Sequence, residues 1–150
     1  MSDIMTKSMA RNVFYGGSLF FIAIFGVLSV HSHLYAASTA IDKAGLTESV
    51  AAGKHVWEKH ACVNCHTILG EGAYFAPELG NVMIRWGVQD DPAAATEALK
   101  TWMDAMPTGI EGRRQMPQFN LTDEEYQDLT NFLIWTSRIN TQGWPPNEAG

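Results

Sequence analysis

No charged side chain occurs between Asn12 and Ile41, and within that gap Val13 to Val30 is 18 residues long, 13 of them apolar and the other five Gly or Ser. Few folds accept such a run. In hydrocarbon every backbone N–H and C=O must find its partner within the segment, so a lone stretch of this kind crosses only as a helix. Extended to Tyr35 it holds 23 residues, about 34 Å of helix at roughly 1.5 Å per residue, against a hydrocarbon core of about 30 Å. One crossing fits. Lys7 and Arg11 stand just before it and the far side is acidic, which by the positive-inside rule places the N-terminus in the cytoplasm and the remainder outside the inner membrane. A cleavable leader is the rival, because Ala36, Ala37 and Ser38 offer small residues; its apolar core would run only about 7–15 residues, so a retained single-pass anchor over about 13–35 is expected. His31 and His33, near its outer end, suit a wet interface.

The 150 residues leave room for one further domain, 41–150, and none for a multidomain enzyme. Residues 1–40 carry Asp3, Lys7 and Arg11, a net +1, so the total of −6 leaves −7 on residues 41–150. That excess of acid excludes a nucleic-acid partner. After a small-residue linker, Ala36 to Ala44, a helix is expected from Thr47 or Glu48 through the cysteine-containing stretch to His66, anchored by Val50, Val56 and Trp57. Asp91-Pro92 predicts the start of a second helix, with Ala95, Leu99, Trp102, Met103 and Met106 at helical spacing. Thr122 and Glu125 form a capping box for a third helix, striped by Tyr126, Leu129, Phe132 and Leu133 and ending near Arg138. The fold class is all-α. Three helices with long loops, Thr67 to Asp90 and Pro107 to Leu121, make a poor core by themselves, so a bound group is expected to complete it.

The only two cysteines stand in Cys62-Val63-Asn64-Cys65-His66, the attachment pattern of a c-type haem. Cysteines at i and i+3 of a helical turn face one way, so both thiols can form thioethers while His66 directs its imidazole at the iron. A thiol redox pair and half of a zinc site are the alternatives; the first lacks a βαβ pattern and the second lacks another ligand pair. For the sixth ligand two Met-Pro pairs compete, Met106-Pro107 and Met116-Pro117. Met106 ends the stripe of the middle helix and Met116 stands in a polar loop, so Met116 is the expected ligand, with Met83 and Met103 in the core. His and Met together close the iron to substrates, which makes an electron carrier. His55 and His60 read as helix-surface residues.

Gly53, Val56 and Trp57 ahead of the motif, a proline after it and Met-Pro before a terminal helix together resemble class I cytochrome c. By that resemblance the Pro77 carbonyl would accept the His66 Nδ1 proton and fix the ring. The run CVNCHTILGEGAYFAPELGNV, the stretch MPQFNLTDEE, the ending FLIWTSRINTQGWPPN and the single anchor resemble, over almost the whole chain, the cytochrome c subunit of bacterial nitric oxide reductase. The resemblance implies one covalent haem c, a soluble periplasmic cytochrome c or copper protein as donor, and a large membrane subunit with haem b, haem b3 and non-haem iron, where NO is reduced to N2O. It also implies an interface Ca2+ taking the Gly72 carbonyl and the Tyr74 hydroxyl, hard oxygen ligands suited to that ion. On this reading the chain itself holds no NO-reducing site. A membrane-tethered cytochrome c shuttle and the monohaem subunit of a haem-copper oxygen reductase share the anchor and the motif.

Fifteen acids against eight bases in residues 41–150 would attract a basic donor at low salt, or merely keep the domain soluble. Trp86, Trp102, Trp135 and Trp144 are candidates for the haem pocket or for the contact with the large subunit. Arg85, Arg113 and Arg114 are candidates to face haem propionates, though solvated arginines are the commoner case. Glu71 and Glu78 read as interface charges.

Overall fold

The computed structural model describes residues 5–112 and 114–143; Arg113 and the tail from Trp144 lie outside them. The chain divides into two units, residues 1–40 and 41–150. In the first, α1 spans Lys7–Tyr35, starting at Thr6, whose hydroxyl accepts from the Met9 amide. An N-cap of this kind satisfies one of the free amides of the first turn. The helix runs on as one π-helical turn, Ala36–Ala40, where the sequence suggested only a linker; the Ser38 hydroxyl donates back to the Leu34 carbonyl there. Lys7–Ala40 is long and apolar enough to cross a membrane, and no residue of α1 is buried.

The regular structure of the second unit is chiefly helical. Its elements are α2 (Glu48–Lys59), a 3-10 turn (Cys62–Asn64), β1 (Thr67–Ile68), β2 (Glu71–Gly72), α3 (Val82–Arg85), α4 (Pro92–Asp104) and α5 (Asp123–Ser137). The two strands pair antiparallel, Thr67 opposite Gly72. Local chemistry explains the helix starts. Asp91 accepts from the amides of Ala93 and Ala94 ahead of Pro92 at the first position of α4, and Thr122 and Glu125 exchange both bonds of the capping box on α5.

The core lies chiefly between α2 and α5. Val50, Val56 and Trp57 from the first meet Leu129, Phe132 and Leu133 from the second, joined by Ala95, Leu99 and Met103 of α4 and by Met83 of α3. Full burial of a side chain of the Val, Leu, Phe or Met kind contributes about 1.5–3 kcal/mol. Gly53 lets the two helices touch: a Cβ there would fall 2.0 Å from the Asp128 carbonyl oxygen. The Ser49 hydroxyl donates to the Asp128 carboxylate and accepts from the Asn131 amide at 2.9 Å, fixing the register of the same crossing.

Two expectations are corrected. The first helix does not run through the cysteines; it ends at Lys59, and Ala61 takes a left-handed backbone with φ of 52°. An L-residue in that region breaks the helical ladder, so Cys62 begins a new and tighter turn. Trp102 shares the spacing of the α4 stripe yet is 52% exposed, its ring 6.2 Å from that of Trp86.

Candidate functional site

The corrected turn brings the motif together by a different geometry. In a 3-10 helix residues i and i+3 eclipse, so Cys62 and Cys65 are presented on one side of the turn, both as free thiols. The Cys62 carbonyl accepts from the amides of Cys65 (3.1 Å) and His66 (2.9 Å), which pins His66 directly after the pair. Burial pushes the Cys62 thiol up to about 11, with a smaller contribution from Cys65. It therefore stays protonated at neutral pH.

The His66 ring is set from two directions. Its Nδ1 lies 2.8 Å from the Pro77 carbonyl oxygen. A carbonyl only accepts, so Nδ1 carries the proton and Nε2 keeps its lone pair for a metal. The Trp57 ring lies 6.4 Å away, between His66 and Phe132. The loop bearing Pro77 is tied to the motif segment by the Ala73 amide on the Val63 carbonyl, the Ala76 amide on Cys65 and the Leu79 amide on Thr67.

Met116 is half-buried and packs on the same core as Cys62, Ile68 and Leu79, whereas Met106 is buried just beyond the end of α4. The Met116 loop is held to the Pro77 loop by Arg114, whose guanidinium donates to the Phe75 carbonyl and lies 4.7 Å over the Phe75 ring. Arg85 bonds to Asn81 and, at 2.8 Å, to the Glu78 carbonyl, with burial pulling its pKa down against the pull of Glu78. Both arginines are thus engaged within the chain. Arg113 and Trp144 lie outside the described residues. Trp135 donates to the Asp42 carbonyl at 2.9 Å.

Gly72 has φ of 128°, and a Cβ on it would meet the His66 carbonyl oxygen at 2.3 Å. Close passage of the chain requires glycine here whatever else the residue does. The Tyr74 ring is exposed and its hydroxyl reaches the Gly70 carbonyl at 3.5 Å. Among the described residues no group of three or more His, Cys, Asp or Glu side chains could hold a metal ion. His55 is exposed and pairs with Glu58 at 3.3 Å. His60 is less exposed than expected: its ring packs edge-on to Phe119 at 5.4 Å and its Nε2 is buried without a partner. Glu71 is exposed. Glu78 also departs from the sequence reading, since it is 4% exposed and its carboxylate faces backbone amides, not a partner surface.

Two thiols on one side of a turn, an imidazole with Nε2 free and an apolar, half-buried surround form the donor set of a covalently attached haem, and they fit it. The class is that of a cytochrome c: the profile of the cytochrome c family matches residues 50–137. Over all 150 residues of both chains the sequence is 71% identical to the C subunit of nitric oxide reductase from Paracoccus denitrificans, 65% to that from Cereibacter sphaeroides and 57% to that from Halomonas halodenitrificans. The chain belongs to this family of nitric oxide reductase C subunits.

Proposed function

We propose that this chain is the electron-entry subunit of a nitric oxide reductase complex. It takes electrons from a soluble periplasmic cytochrome c or copper protein and delivers them to haem b of a large membrane subunit, where haem b3 and non-haem iron reduce NO to N2O. Bound haem c supplies a one-electron iron couple. Cys62 and Cys65 would hold one such haem as thioethers, His66 and Met116 would ligate its iron, and the Pro77 carbonyl fixes the His66 ring with Nε2 free for that role. With His66 and Met116 both committed to the iron, this reading leaves NO chemistry to the large subunit. Residues 1–40 hold the cytoplasmic N-terminus, the anchor over about 13–35 and the start of the linker, and residues 41–150 form the periplasmic domain. Gly72 and Tyr74 contribute oxygen ligands to a Ca2+ at the boundary with the large subunit.

The observation that supports this best is the 2.8 Å contact of His66 Nδ1 with the Pro77 carbonyl, directly beside two thiols on an eclipsed turn. A thiol redox pair gives no reason to orient that imidazole, and a zinc site would need a further ligand pair that the sequence lacks. Stopped-flow mixing of the oxidised complex with a reduced soluble donor tests the entry role. The haem c band is expected to become reduced before the haem b band; haem b reduction first would refute it.

A further inference from the structure

Glu78 is a charged side chain in the interior, and burial of a carboxylate is costly unless several donors compensate it. Here they do. Oε1 accepts from the Leu69 amide at 2.9 Å and the Gly80 amide at 2.8 Å, and Oε2 lies 3.4 Å from the Gly70 amide. Leu69 and Gly70 both have left-handed backbones, φ of 54° and 82°, which turns their consecutive N–H groups toward one point. At Gly80 a Cβ would lie 2.7 Å from Oε1, so glycine is what lets that amide approach. Arg85 stands beside it as the nearby cation. An ionised carboxylate, which only accepts, suits an all-donor cradle of this kind.

The anchor is one bond from the residue that orients the ligand. The Pro77 carbonyl and the Glu78 amide belong to one planar peptide unit, so fixing Glu78 fixes the direction in which that carbonyl points. From the other side the Ala76 amide holds the Cys65 carbonyl at 2.8 Å. We propose that Glu78 is a positioning residue for the axial histidine: by clamping the β1–β2 turn to the 78–80 segment, its carboxylate holds the Pro77 carbonyl in line with His66 Nδ1. This rests on the haem reading above. Loss of the clamp misdirects the carbonyl, weakens the bond to Nδ1–H and makes the imidazole a poorer donor to ferric iron. It also removes a buried anion. Both changes favour the reduced state, so the potential rises.

The test uses the purified, detergent-solubilised complex with Glu78→Gln, Glu78→Asp and Gly80→Ala. Glu78→Gln keeps the size but sets an NH2 group against amide donors. With covalent haem at wild-type content by haemochrome assay, it is expected to raise the haem c midpoint potential, shift the low-spin ferric haem c resonance signal, and speed hydrogen exchange in peptides covering residues 67–80. Glu78→Asp is expected to restore part of each. Gly80→Ala crowds the carboxylate with its charge intact and carries the same test through resonance and exchange if Glu78→Gln fails to assemble. An unchanged signal and potential in haem-replete Glu78→Gln, or an unchanged signal in Gly80→Ala, would overturn the proposal. Wild-type complex without covalent haem on this chain would instead sink the haem reading.

Discussion

Gly53→Ala places one methyl group into the closest approach of α2 and α5. That Cβ would lie 2.0 Å from the Asp128 carbonyl oxygen, 2.5 Å from its carbon and 2.7 Å from the Phe132 Cβ. Carbon needs about 3.5 Å for unstrained contact, leaving a shortfall of about 1.5 Å. The obstruction is backbone, so no rotamer change relieves it, and the two helices must separate along the main seam of the core. Overpacking typically costs 1–3 kcal/mol, and a backbone clash of this depth belongs at about 3 kcal/mol or more. Alanine gains about 1 kcal/mol of helix propensity over glycine. The clash wins, leaving a net loss of about 2 kcal/mol. At about 4 °C per kcal/mol for a domain of this size, the melting point is expected to fall by roughly 8 °C or more. Calorimetry of haem-replete wild type and variant at matched pH measures it. A variant melting at or above the wild type would refute the close-packed crossing.

Other outcomes follow from the site and from the caps. Met116→Leu is expected to keep haem attached while lowering the midpoint potential and opening the iron to added ligands; an unchanged redox titration would show that another residue is the ligand. Cys62→Ala removes one thioether, and haem staining on a denaturing gel is expected to fall sharply or vanish. Glu125 is held below its ordinary value by Lys59, foremost, and by the Thr122 amide. A carboxylate depressed on folding adds stability above its unfolded value, and that addition is lost as pH falls through the folded value. The urea midpoint of the domain is therefore expected to decline below about pH 4.5, and Glu125→Gln should flatten that part of the curve.

The parts of the fold legible from sequence were those with short-range causes. Asp91-Pro92 and the Thr122–Glu125 box mark helix starts because a side chain and an amide three residues apart decide them. Tyr126, Leu129, Phe132 and Leu133 are all buried because their spacing reports one helix face. The CVNCH spacing brought Cys62, Cys65 and His66 together because so short a run spans a single turn, although that turn is 3-10 and not part of the α-helix expected. What could not be read depends on distant partners. Ala61 has no residue-level signal for a left-handed backbone, and α3 is a single turn too short for periodicity. Gly53 enters the sequence reading only through the resemblance, and its packing role shows only once α5 lies against it. Glu78 carries a charge that ordinarily means solvent, and only the folding of Leu69, Gly70 and Gly80 around it makes the interior acceptable.

Because α2 forms the main seam with α5 and ends beside the cysteine turn, the described residues of the second unit share one core and offer no separate lobe that could soften while the motif stays intact. Heating should break the iron's side-chain ligation, shift the haem absorbance and dissolve the tertiary structure as one event, with the haem still held by its thioethers. Optical absorbance would then serve as a direct gauge of how much of the population is folded.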